Sequence, residues 1–283
     1  MDEKFEYALN IVAETESTND DIERLLSSDI AGGSFKFHGY SERAVIQTKG
    51  HGRFDRKWNS SYGGLYQSVL LFLEKLGGLS LNKIIIIVAY CIRQSIFEFL
   101  NGSCDVRIKW PNDIIVNGRK ICGILIKAIF GANMTSLIIG FGVNVFNAVD
   151  KNSLRQGSVL TPCNLAEFCG RNLCESDITA ISNLILSKMK SSFIYAINGG
   201  YDEIFKKYND SLLYIGEKVE LFGFIEDEVP SASGIFRALD ENGFLLIENE
   251  KTGAVSSWAS GEIRCVAESS HNRVINTNGP KMV

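Results

Sequence analysis

The run from Val106 to Lys127 constrains the chain most, because it spaces two apolar stretches around Asn117-Gly118. Asn-Gly readily supplies the positive φ angles of a tight hairpin turn. The spacing predicts a strand entering at about Val106, a turn at Asn117, and a return strand from about Ile121 to Phe130. Lys109 falls among Ile108, Trp110, Ile114 and Ile115. A cation with such neighbours costs desolvation unless an anion meets it. Pro111 has no N–H for a ladder, so the strand must break or reach an edge just after Lys109. A broken strand end bearing a lysine suits a ligand's negative charge. The pattern fits equally a lysine whose stem snorkels along a sheet edge.

A second cluster reads Gln47-Thr48-Lys49-Gly50-His51-Gly52-Arg53-Phe54-Asp55-Arg56-Lys57-Trp58. Glycines let backbone N–H groups come close to a ligand, and Arg53, Arg56 and Lys57 bring cations to the same loop. Together they suit a phosphate, with arginine as the bidentate partner, although a solvated basic loop has the same composition. Ser17-Thr18-Asn19 precedes a helix that begins with acidic residues, which is first of all a helix cap. Its hydroxyls and amide also suit a neutral polar ring. Gly140, Gly142 and Asn144 close another apolar strand, and glycines there keep side chains away from a ligand.

Lys109-Trp110-Pro111-Asn112-Asp113, followed by the hairpin and Gly123-Ile124-Leu125, resembles the signature of biotin protein ligases. The glycine loop is similar to that family's Gly-Arg-Gly-Arg loop, matching at Gln47, Gly50, Gly52, Arg53, Arg56, Lys57 and Trp58. It departs at His51, where the family usually has arginine, and at Asp55, where glycine is common. A histidine becomes cationic only below about pH 6.5, so the departure predicts a more pH-dependent affinity. Asp55 predicts weaker loop closure around phosphate.

The resemblance implies a catalytic domain like that of class II synthetases, of the α+β class, with a mixed β-sheet and flanking helices. It adds a small C-terminal Src-homology-like β-barrel. It implies ATP and biotin as substrates, Mg²⁺ on the ATP phosphates, and transfer to a lysine of a biotin carrier domain of biotin-dependent carboxylases. By the same resemblance Ser17, Thr18, Asn19, Gln47, Gly50, His51, Gly52, Arg53, Lys109, Gly123 and Leu125 face biotin. Arg53, Arg56, Lys57, Trp58, Asn112 and Asn144 face the adenylate, and Lys109 and Arg53 are catalytic. The family often places a tryptophan near adenine beyond the Gly-x-Gly strand, but residues 145–200 hold none, leaving Phe146 as the substitute. A lipoate- or octanoyl-transferring relative would show an Arg-Arg-x-Ser-Gly-Gly-Gly run, which is missing. A biotin-responsive repressor would need a helix-turn-helix ahead of Ser17, where no room is expected. A noncatalytic carrier-binding module is the third alternative, and intact Lys109 and Arg53 speak against it.

The chain has 283 residues, 45% of them hydrophobic and 22% charged, enough for one large domain and one small one. The expected division is 1–212 catalytic, 213–267 barrel and 268–283 a disordered tail. A net charge of −4 argues against a dedicated DNA binder. Seven cysteines without a Cys-x-x-Cys pair, and only three histidines, argue against a zinc site and for reduced thiols in the cytoplasm. The apolar run from Ile84 to Tyr90 is too short for a membrane. The composition leaves a homodimer open.

In order, strands are expected near Ala8–Ala13, Ala44–Thr48, Leu65–Leu73 and Ser136–Gly142, with loops over 31–42 and 147–160. Helices are expected after Ser17, from Ser80 to about Leu100, and near Leu165–Arg171, Ile178–Ile197 and Tyr201–Tyr208. From Gly216 onward, five short strands separated by turns such as Glu241-Asn242-Gly243 read as the small barrel.

Overall fold

The computed structural model describes residues 6–29, 37–131, 134–149, 160–223, 227 and 229–266. Seven strands form one mixed sheet: β1 (Ala8–Thr15), β2 (Tyr40–Gln47), β3 (Gly64–Phe72), β4 (Val106–Lys109), β5 (Asp113–Val116), β6 (Arg119–Phe130) and β7 (Thr135–Asn144). Their spatial order is β1-β2-β3-β7-β6-β5-β4. β1 and β2 run parallel, with α1 (Thr18–Asp29) in the crossover between them, and every other neighbouring pair is antiparallel. The expected α+β class with flanking helices is what the chain adopts.

One face of the sheet packs on α2 (Leu81–Phe99) and α3 (Glu175–Tyr195) through residues such as Ile92, Ile96, Ile108, Ile114, Ile124, Phe141, Val143 and Ile181. Ser80 caps α2, its Oγ accepting from the Lys83 backbone N–H. The other face carries a smaller apolar group, Ile22 of α1 with Leu70, Phe72 and Ile138. β3 is buried along its whole length, as a strand covered on both faces must be. The strip of that second face beyond α1 holds the site.

A kinked turn at Ala196–Gly200 joins α3 to α4 (Tyr201–Asp210). β8 (Lys218–Phe222), β9 (Ala232–Leu239), β10 (Leu245–Glu248), β11 (Val255–Trp258) and β12 (Glu262–Cys265) then form an antiparallel sheet ordered β11-β10-β9-β8-β12. This sheet fits the small barrel-like unit expected from the turns. It docks on the large sheet, where Trp110 Nε1 donates to the Gly243 carbonyl at 3.2 Å. Val219, Leu221 and Phe236 join the main core.

Some boundaries differ from the sequence reading. The stretch from Val106 to Val116 is two strands, with the chain reversing at Trp110–Asn112 so that Lys109 pairs with Asp113. β2 begins at Tyr40, inside the expected loop, while residues 31–36 of that loop lie outside the described residues. The helix expected at Leu165–Arg171 is a single tight turn, Leu165–Glu167, capped by Asn164 and stopped before Gly170 at φ 62°. Residues 150–159 and the tail at 267–283 also lie outside the described residues. Among the described residues no helix is long and apolar enough to cross a membrane, and all seven cysteines are free thiols.

Candidate functional site

Strand register assembles the site before any loop does. Tyr66 of β3 pairs with Gly142 of β7, Gly142 with Gly123 of β6, Gly123 with Asp113 of β5, and Asp113 with Lys109 of β4. One row further on, Ser68 pairs with Gly140, and Gly140 with Leu125. Opposed residues share a face, as do residues two apart along a strand, so both rows lie on the α1 side. From Gly142 to Lys109 is three strand spacings, roughly 14 Å. Gly123 and Gly142 leave a bare patch in the middle, and the Trp58 ring rests on it. A Cβ at Gly142 would stand 2.4 Å from Trp58 Nε1, and one at Gly123 3.0 Å from its ring.

The polar end of the row is built by α1, β2 and β3. The Thr18 backbone N–H and hydroxyl both donate to Gln47 Oε1, at 2.9 and 3.2 Å. Thr18 Oγ1 lies 2.6 Å from Ser68 Oγ, which donates to Asn19 Oδ1 at 2.6 Å. Gln47 Nε2 donates to Ser60 Oγ at 2.9 Å, against Gly50. Ser17 is buried too, its Oγ accepting from the Asp20 N–H as the helix cap. Thr18, Asn19, Ser60 and Ser68 are all buried, so each hydrogen bond here counts by about 1 kcal/mol or more.

The charged end lies at β4 and the glycine loop. Lys109 Nζ donates to Glu262 Oε1 at 2.6 Å, the lysine side chain 7% and the glutamate 11% exposed. Arg56 Nη2 donates to the other oxygen of Glu262 at 3.1 Å. Burial pushes the Glu262 carboxyl up, but Lys109, Arg56 and Lys120 outweigh it and hold the group down at about 2. Lys120 pairs with Asp113 at 2.7 Å, and its ammonium lies 5.5 Å from the Trp58 ring centre. Arg53 Nη1 donates to Asn112 Oδ1 at 3.3 Å and to the Gly261 carbonyl at 3.4 Å. Burial lowers its guanidinium from the ordinary value, yet an arginine stays charged. Asn112 is itself held by donating to the Ile124 carbonyl at 2.8 Å.

Three expected residues stand apart from these clusters. Lys57 is exposed on the loop. His51 is half-buried at the rim, with Nε2 3.8 Å from Asp20 Oδ1 and Nδ1 3.4 Å from the Lys49 carbonyl. Asn144 is buried, donating to the Cys163 carbonyl and accepting from Asn147 Nδ2, each at 3.0 Å, so its amide clasps the following loop. Gly52 shapes the loop, its N–H donating to the Arg56 carbonyl at 2.7 Å. Phe146 meets Tyr62 edge-on at 5.7 Å and packs over Gly63. The site also holds Ser60, Ser68, Lys120 and Glu262, which the sequence does not mark, and Asp113, which it marks only within the Lys109–Asp113 signature. The one available signal was a Gly-Glu step opening the last predicted strand.

A row with hydrogen-bonding groups at one end, cations at the other and bare backbone between is shaped for a long ligand, neutral at one tip and anionic at the other. Residues 24–144 match the family model described as the biotin/lipoate A/B protein ligase family. That span covers Gln47 and Ser68 of the polar end, the glycine loop and Lys109, while Ser17, Thr18 and Asn19 precede it. The chain is 30% identical to the bifunctional ligase/repressor BirA of Salmonella typhimurium over 232 residues, 78% of this chain and 64% of that protein. It is 27% identical to biotin–protein ligase 2 of Arabidopsis thaliana, covering 74% of this chain and 64% of that one. The chain thus spans about 64% of the length of these curated relatives. Among solved structures it resembles the biotin protein ligase of Aquifex aeolicus in complex with biotin and ATP. That similarity has a TM-score of 0.69 at 25% identity, covering 90% of this chain and 97% of the other.

Proposed function

We propose that this chain is an ATP-dependent biotin–protein ligase. It joins biotin to AMP as biotinyl-5'-AMP, then passes the biotinyl group to a lysine of a carboxylase's biotin carrier domain. The observation that carries this reading is the single row on one sheet face, with the Thr18–Ser68–Asn19–Gln47 group at one end and Lys109, Arg53 and Arg56 at the other. The ligand-bound Aquifex relative supports it.

A carboxylate does not acylate an amine, because its oxygen is a poor leaving group. In the first step a biotin carboxylate oxygen bonds to the α-phosphorus of ATP, and the bond from that phosphorus to pyrophosphate breaks. In the second, the carrier's lysine amine bonds to the acyl carbon and AMP departs. The ureido ring, with two N–H donors and one carbonyl, suits Ser68, Asn19, Thr18 and Gln47. Lys109 and Arg53 act as fixed cations where charge builds on the carboxyl and phosphate oxygens. Arg53 is the stronger candidate for direct phosphate contact, since both its hydrogen bonds go to neutral acceptors. Trp58, with its Nε1 buried and unpartnered among the described residues, offers a flat wall over the glycine patch and keeps water from the mixed anhydride. Mg²⁺, as the nucleotide's counter-ion, supplies the remaining positive charge. In this reading residues 1–212 are the catalytic domain and 213–267 the barrel.

The deciding experiment is ATP–pyrophosphate exchange with purified protein, run with biotin, with lipoate and with neither, followed by transfer to a biotin carrier domain. Exchange and transfer that depend on biotin are expected. Exchange driven by lipoate alone, or none with either acid, refutes the proposal.

A further inference from the structure

The row that holds Ser68, Gly140 and Leu125 continues past Ser68 across two more strands. Glu42 of β2 pairs with Ser68, and Asn10 of β1 pairs with Glu42. Glu42 therefore shares the α1 face, one strand spacing of about 5 Å from Ser68. It is a poor place for a carboxylate. Glu42 is 6% exposed, and among the described residues no lysine, arginine or histidine pairs with it. Tyr40 Oη and Asn10 Nδ2 both donate to its Oε2, at 2.9 and 3.2 Å, while Oε1 is buried and unpartnered among the described residues. The Asp21 carboxyl of α1 lies within hydrogen-bonding reach of Glu42. Asp21 has donors of its own, the Thr15 hydroxyl and the Arg24 guanidinium. Two bare carboxylates in contact there would repel, and a buried oxygen without a donor costs more still. One proton on Glu42, given to Asp21, removes both costs, and Arg24 balances the charge that remains.

We infer that Glu42 is a positioning residue, held as the neutral acid, whose O–H donates to Asp21 and ties the first turn of α1 to the sheet, so that Thr18 and Asn19 stay against Ser68. Its bearing on binding rests on the reading of those three residues as the grip on the ureido ring. Asp21 follows Asn19 by two residues, and its N–H donates to the Ser17 carbonyl at 3.0 Å, so the tie reaches the helix cap. The groups facing the pair come from every element packed around it: Asn10 and Thr15 of β1, Tyr40 of β2, Ser68 of β3 and Arg24 of α1. Glu16, which also feels Asp21 and Arg24, is exposed and paired with Lys49. Burial first, then Asp21, push the Glu42 carboxyl up, and the bonds from Tyr40 and Asn10 do not offset them. Burial alone would raise Asp21 as well, but Thr15, Glu42 and Arg24 together outweigh it and hold that group down. The neutral form of Glu42 favours the tied arrangement. Its stability is therefore present below the usual glutamate value and is lost as pH rises through the raised one.

The test compares the parent with Glu42→Gln and Asp21→Asn in the full chain. Glutamate protonation is followed by NMR on ¹³C-labelled glutamate, with Glu42→Gln identifying the signal, and biotin affinity by isothermal titration, both from about pH 4 to about pH 9. The Glu42 signal should titrate at least about one pH unit above the ~4.3 of exposed glutamates. Biotin affinity of the parent should fall roughly tenfold across that same midpoint. In Glu42→Gln an amide N–H replaces the acid O–H and cannot ionise, so affinity should stay near the parent's low-pH value and the step should vanish. Asp21→Asn removes the neighbouring anion and should bring the Glu42 midpoint down toward the exposed glutamates. A Glu42 signal that titrates with the exposed glutamates, an affinity that is flat across the Glu42 midpoint, or a step that Glu42→Gln retains overturns the inference. If Glu42 keeps its proton throughout the range, or Glu42→Gln does not fold, Asp21→Asn decides, and an unmoved midpoint there is equally fatal. A parent that binds no biotin sinks the ligase proposal instead, while the glutamate titration still judges the role of Glu42.

Discussion

Gly140→Ala tests the polar end of the site without touching a group expected to contact the ligand's charge. Gly140 lies in the extended strand β7, so the backbone accepts alanine and even gains a few tenths of a kcal/mol in propensity. Its cost comes from one direction. The new Cβ would stand 2.3 Å from Asn19 Oδ1 and 2.7 Å from Asn19 Nδ2, where real contacts stay beyond 3.0 Å. Asn19 must retreat by at least 0.7 Å or rotate, and either movement strains its 2.6 Å bond from the Ser68 hydroxyl. Leaving such buried partners unmatched costs about 1–3 kcal/mol. If that group grips the ureido ring, biotin binding should weaken roughly tenfold to a hundredfold, at 1.4 kcal/mol per decade. Stability should fall by about 1–2 kcal/mol. Isothermal titration with biotin and a thermal melt measure the two. A Gly140→Ala protein that binds biotin as tightly as the parent would refute the placement of the ring at this end, whatever its stability.

Other outcomes follow from the same geometry. Arg53→Ala should release biotinyl-AMP into solution faster, because the loop loses its ties to Asn112 and Gly261; trapping free adenylate during turnover measures this. Lys109→Ala should slow adenylation on the order of a hundredfold. It should also lower stability, since it strips Glu262 of its nearest partner. A melt and an exchange assay on one preparation read both. His38 gives a pH signature. Burial first, and Lys75 second, push its imidazole down to about 4, and its Nδ1 accepts from the Phe72 N–H at 3.1 Å. The neutral form favours the fold, so this stability is present above about pH 6.5 and is lost as pH falls toward 4. Allowing for solvent screening, roughly 1–2 kcal/mol is at stake, and His38→Asn should flatten the dependence in denaturant titrations.

Local signals were readable wherever a neighbour in sequence decides the structure. Ser80 starts α2, Asn117 turns β5 into β6, and all five strands of the C-terminal sheet begin within about two residues of where turn residues place them. Pro111 predicts a break, and the chain does break there, but it reverses into a second strand that pattern alone does not resolve. Failures cluster where a contact spans distant chain. Ser68 lies inside a strand that is buried from Gly64 to Phe72, so its hydroxyl looks like filler in a core. Alternation told which residues share a face but not that α1 would bring Asn19 and Thr18 to that hydroxyl. Asn144 carries a structural role that the sequence did not announce. Its place after two glycines suggests a ligand contact, and its amide also holds the loop that follows.

The two ends of the site are made differently, and the difference suits the order of events. The neutral end is fixed by helix α1 and strands β2, β3 and β7, with β3 buried along its whole length, so its hydrogen-bonding groups are in place before any ligand arrives. The charged end draws on a glycine loop and on the C-terminal sheet, whose contacts at the site itself are ion pairs and hydrogen bonds. The ion pairs of Lys109 and Arg56 can be exchanged for a ligand's phosphate at little net cost, because each of these two cations keeps an anion throughout. A rigid grip on a neutral ring needs complementarity. A grip on charge that appears and leaves during a reaction needs partners that can trade, and Glu262 between Lys109 and Arg56 is placed to do that.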